Sequence, residues 1–146
     1  MLKKTVIKTD SGEEIPLERT IANIPNLTML IYEPAENSKS ISSKTAKELL
    51  RIPSFQSLEV LGLENVPEDF DIDTMFYEII KKSGSKIQSW IIYDGPITSE
   101  HKKHLQEIAD EILDEKIYKY VPPFIGFPGQ TRAHVLYDLH RKSCSS

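Results

Sequence analysis

The chain has 146 residues, 39% hydrophobic and 27% charged, with 18 Lys and Arg against 22 Asp and Glu for a formal net charge of −4. That length suits one domain with its own core, the apolar fraction excludes a disordered chain, and no apolar run approaches the roughly 18–20 residues of a membrane span. The acidic balance argues against a general nucleic-acid binder, and the single cysteine, Cys144, cannot form an internal disulfide, which fits a reducing compartment, cytoplasmic or nuclear.

Residues 1–8 carry lysines with no apolar stretch behind them, so no signal peptide is expected. Leu2, Thr5 and Ile7 form the weakest copy of a pattern, L-x-x-L-x-L, that recurs along the chain. Leu27, Leu30 and Tyr32 make the second copy, Leu58, Leu61 and Leu63 the third, and Ile87, Trp90 and Ile92 the fourth. The copies start at 2, 27, 58 and 87, giving spacings of 25, 31 and 29 residues. Leucine-rich repeats run about 20–29 residues, and those with full helices use the long end.

Each predicted strand is followed by a predicted helix. Pro16 opens a short one near Leu17–Ile21, with Ser11 as a candidate cap. Ser42 or Ser43 precedes Lys44–Leu50, which Pro53 stops. Asp71 caps a third, with Ile72, Met75, Phe76, Ile79 and Ile80 on one face, ended by Gly84. Thr98 or Ser99 starts the clearest helix, striped by Leu105, Ile108, Ala109, Ile112 and Leu113. The proline-rich stretch 118–129 fits an edge strand at most, and a last helix is expected from Thr131 to Lys142, burying Val135, Leu136 and Leu139.

Parallel strands joined by helices make right-handed crossovers. The predicted fold is therefore α/β, a leucine-rich-repeat-like β-α solenoid with a parallel sheet on one face and helices on the other. A doubly wound α/β sheet is the alternative, because Leu58–Leu63 is apolar on both faces. Residues 1–142 read as a single repeat domain and 143–146 as a disordered tail.

Ile52-Pro53-Ser54-Phe55, the strand Leu58–Leu63, Val66-Pro67-Glu68-Asp69-Phe70-Asp71-Ile72 and Pro122-Pro123-Phe124-Ile125 resemble the leucine-rich-repeat-like, F-box-associated region of nematode F-box proteins. The resemblance spans roughly residues 20–128. It implies a non-catalytic arm that recruits a protein target to a Skp–cullin–F-box ubiquitin ligase. About 19 residues precede this region, too few for an F-box, so the resemblance implies one carried elsewhere or lost.

Catalytic and metal motifs are weak. His101 and His104, with Glu107, share a helix face, yet two lysines intervene where a zincin motif needs Glu. Asp69, Asp71 and Asp73 copy the first ligands of a calcium loop, but Thr74 and Ile80 stand where glycine and a bidentate glutamate are required. Gly126 and Gly129 precede a helix without the lysine of a phosphate loop, so a turn is expected. Cys144 has no activating neighbour in sequence. The sequence thus predicts no cofactor and no metal. A small α/β enzyme with a carboxylate site at the strand C-terminal ends is the alternative function, with Glu33, Glu64 and Asp94 beside His101 or His104 as its candidates.

Strand alternation supplies a surface. With Leu58, Leu61 and Leu63 inward, Val60 and Gly62 face out, and the same phase places Val6, Met29, Ile31, Ile91 and Tyr93 with them. An apolar row of that extent marks a protein interface, the alternative being that another part of the same polypeptide, such as the Pro122–Pro128 segment or an F-box module, covers it. Val6, Met29, Ile31, Val60, Gly62, Ile91 and Tyr93 are therefore the expected protein-binding residues, with neither nucleic acid nor membrane as partner.

Overall fold

The computed structural model of the chain describes residues 2–5, 14–84 and 87–144. Five strands form one open parallel sheet: β1 (Leu2–Thr5), β2 (Met29–Pro34), β3 (Val60–Leu63), β4 (Gln88–Ile92) and β5 (Phe124–Gly126). Their order in the sheet is their order in the chain, and every neighbouring pair is parallel. A doubly wound sheet reverses strand order at a switch point, and this order never reverses.

The helices arise much where the sequence places them. In α1 (Leu17–Ala22), Leu17 and Ile21 stand one turn apart and bury the same face. In α2 (Thr45–Leu50), Ala46 and Leu49 do likewise, while the Thr45 hydroxyl accepts from the Ser42 N–H at 2.9 Å and donates to Glu18 at 3.2 Å, tying α2 to α1. Asp71 caps the third helical segment, accepting from the backbone N–H and the hydroxyl of Thr74 at 3.1 and 2.7 Å. That segment widens to π-helical geometry over Thr74–Ile80, buries Met75, Phe76, Ile79 and Ile80, and ends at Gly84, whose φ of 68° suits a residue without a Cβ. Thr98 caps α3 (Ser99–Asp114), and Leu105, Ile108, Ala109 and Ile112 form its buried stripe. Ser11 lies outside the described residues.

These helices and the inner face of the sheet enclose one core. Its central row is Tyr32, Leu63, Ile91 and Ile125, paired strand to strand and each 0% exposed. Here β4 departs from the expected phase. Ser89, Ile91 and Tyr93 point into the core, and Trp90 and Ile92 point out, the reverse of the reading that put Trp90 and Ile92 inside. A one-residue slip flips a whole strand. Gly62 supplies the reason: it pairs with Trp90, and a Cβ at Gly62 would come within 2.3 Å of the indole. The indole lies over the glycine on the outer face, and that contact holds β4 in register.

The C-terminal helix also departs from the expected one-sided layering. Helix α4 (Ala133–Cys144) runs past the expected end at Lys142, through Ser143 and Cys144. It buries Leu136 and His140 while Val135 is exposed. Its Tyr137 and His140 meet Phe124 and Trp90 edge-on at 5.6 and 6.5 Å, so α4 packs against the outer face at the β5 edge. No described helix is long and apolar enough to cross a membrane.

If the indole over Gly62 sets the register, Gly62→Ala should overpack the site and destabilise the protein by about 1–3 kcal/mol. In the background of Trp90→Leu the same change should cost much less, because a smaller side chain faces the new methyl. Chemical denaturation of the two single variants and the double variant measures the coupling, and simple additivity would refute the lock.

Candidate functional site

Two rows cross the outer face of the sheet. Met29, Val60 and Gln88 form one, and Ile31, Gly62, Trp90 and Phe124 the other. Of the residues expected to bind a protein, Met29 is 56% exposed, and Ile31 and Val60 are half-buried on this face. Gly62 also belongs to it but is buried under Trp90. Ile91 and Tyr93 do not: at 0% and 1% exposure they sit in the core, carried there by the slipped phase of β4. Val6 lies outside the described residues.

Sequence reasoning missed Trp90, Ile92, Phe124 and Tyr137, which extend the apolar surface toward α4. The usable signal was Gly62 itself, a residue without a side chain in the middle of a strand, which marks the close approach of another group. Across β4 and β5 the surface deepens into a groove roofed on one side by α4, about 410 Å3 in volume.

Among the described residues, the alternative site does not assemble at the strand C-terminal ends. A hollow of about 200 Å3 there is lined by residues such as Asn65, Glu68 and Ile97, with none of Glu33, Glu64 and Asp94 in its wall. Glu68 accepts a short hydrogen bond from the Thr98 N–H, and Asp73 pairs with His104 Nε2 at 2.8 Å. His101 packs edge-on against Tyr93 at a ring separation of 5.3 Å. Burial, then the charges of Asp73 and Asp71, raises the Tyr93 phenol, so it stays neutral. These groups hold α3 against the sheet and converge on no common point. Among the described residues, no three His, Cys, Asp or Glu side chains are placed to hold a metal ion.

The other candidates have structural work. Gln130 closes the loop after β5, donating to Ile125 O at 2.8 Å and accepting from the Phe127 N–H at 3.3 Å, and Gly129 turns the chain at φ 82°. Cys144 is half-buried beside His140, and burial pushes its thiol up, away from the thiolate a nucleophile needs. No protein-family model, curated protein or solved structure matches the chain.

Burial pushes the His101 imidazole below its ordinary range and His104 adds to this, against the opposing pull of Glu68 and Asp73. A histidine whose pKa is lower folded than unfolded binds its proton better in the unfolded chain. Its contribution is complete above the unfolded pKa and shrinks as pH falls through it. His101→Gln should therefore flatten the decline in melting temperature between about pH 7.5 and 5.5. Thermal melts across that range read the slope, and an unchanged slope would refute the assignment.

Proposed function

We propose that the chain is a non-catalytic protein-binding module, a leucine-rich-repeat-like β-α solenoid that docks a protein target on the outer face of its sheet. The observation that carries this reading is the apolar patch of exposed Met29 and half-buried Ile31 and Val60, continued by half-buried Trp90 and Ile92, with no described helix over its β2 and β3 part. A soluble surface rarely leaves such residues adjacent without a use, and repeat proteins bind through faces that present one side chain per strand in a row.

The strand register supports a serial β-α array, with two of its three steps longer than the about 20–29 residues of a leucine-rich repeat. From β2 to β5, paired inner residues advance by 31 (Leu30 to Leu61), 28 (Leu61 to Ser89) and 34 (Ile91 to Ile125). Each step holds one crossover, long enough for a strand and a helix. Given the resemblance to nematode F-box-associated regions, the target is one recruited to a Skp–cullin–F-box ubiquitin ligase. Among the described residues, the hollow at the strand C-terminal ends is lined by none of the enzyme alternative's three carboxylates and by neither His101 nor His104.

Co-purification from the native cell tests this reading. Met29→Glu and Ile31→Glu should abolish capture of the target and of ligase components while shifting the melting temperature by only a few degrees. Leu61→Glu and Ile91→Glu should instead unfold the protein, because each buries an unpaired charge in the core. Undiminished capture by the folded outer-face variants would refute the docking surface.

A further inference from the structure

The groove between α4 and the outer face of β4 and β5 is chemically distinct from the patch beside it. Trp90, Ile92, Phe124 and Tyr137 make it apolar and aromatic, and Arg141 and Cys144 stand along its α4 wall. Among the described residues no carboxylate lines it, although the chain as a whole carries a formal charge of −4. Among the described residues, Arg141 is the one formally cationic side chain that lines it. The guanidinium lies 3.7 Å from Asp138 on its own helix, with both side chains more than half exposed. An exposed pair of this kind contributes little. It yields readily to a ligand carboxylate that meets the guanidinium with two hydrogen bonds in a partly dry site.

A volume of about 410 Å3 lies at the small end of the ligand-pocket range. It holds one or two large side chains, not a packed helix. We propose that the groove takes a short segment of the partner protein in which a bulky apolar side chain lies next to a carboxylate. The apolar group seats on Trp90, Phe124 and Tyr137, and the carboxylate pairs with Arg141. This inference rests on the outer face being a docking surface and adds the chemistry of what docks. Aromatic floors with an arginine at the rim are the composition that concentrates binding energy in interfaces. The acidic remainder of the chain weakens purely electrostatic attachment of acidic peptides, so both halves of the segment are needed together.

A displayed library of random short peptides, selected on the intact chain, tests the proposal. Cys144 is the single cysteine and lines the groove, so its rate of alkylation reports occupancy. The expected winners carry Asp or Glu beside an aromatic or large aliphatic residue and slow Cys144 alkylation several-fold. They lose about tenfold or more in affinity with Arg141→Glu, and exchanging their acid for lysine restores binding to that variant. Melting curves of Arg141→Glu verify its fold, with Arg141→Gln as the milder substitute. Basic winners, affinity indifferent to both Arg141 variants, or an unprotected Cys144 would overturn the proposal. Winners that leave Cys144 unprotected and fail only against Ile31→Glu would overturn the groove and leave the outer-face reading standing. A selection without winners would overturn both.

Discussion

The contact between the Trp90 indole and Gly62 decides which side of β4 faces the core. A tryptophan opposite any other residue would meet a Cβ, and at Gly62 that Cβ would lie 2.3 Å from the ring. Because the position is a glycine, the indole can lie flat across the strand, cover backbone that would otherwise face water, and keep its own outer edge available. The inner side of β4 then presents Ser89, Ile91 and Tyr93 to the helices. Ser89 and Tyr93 carry a polar cost: both hydroxyls are buried without a hydrogen-bond partner among the described residues, which costs about 1–3 kcal/mol for each. The completed row of Tyr32, Leu63, Ile91 and Ile125 and the burial of the Tyr93 ring work against that cost.

The same contact divides the outer face into two parts with different uses. Beyond Trp90, toward β5, α4 folds back and leans Tyr137 and His140 on Phe124 and Trp90. His140 is anchored in turn to the carbonyl of Pro122 at 2.9 Å. On the other side of Trp90, toward β2, the connecting helices all serve the inner face and nothing described covers Met29, Ile31 and Val60. Binding there requires no conformational change in the core, because the residues involved contribute little to it.

Much of this was legible in the sequence, for reasons that can be stated. Leu58, Leu61 and Leu63, like Leu30 and Tyr32, follow the repeat pattern because each inward position holds a large apolar side chain. The caps at Asp71 and Thr98 and the stop at Gly84 follow from the local chemistry of helix ends. In β4 the pattern misleads. Trp90 and Ile92 are apolar but outward, while an inward position holds a serine, so hydrophobicity alone selects the wrong phase. The two residues that fix the phase, Gly62 and Trp90, are 28 apart in sequence and become partners only once the strands pair. Reading the glycine as a space to be filled would have recovered it. The burial of α4 was hidden for a related reason: His140, a polar residue, takes a buried position one turn from Leu136, and Val135 is exposed.

The central claim is that the outer face is open at β2 and β3 while Tyr93 belongs to the core, and hydroxyl-radical footprinting of the native protein tests it most directly. Met29 and Trp90 should oxidise readily, with Tyr93, Tyr32 and the fully buried Met75 protected until the chain unfolds. Rapid oxidation of Tyr93 in the folded protein, or protection of Met29 at the level of Met75, would contradict the account.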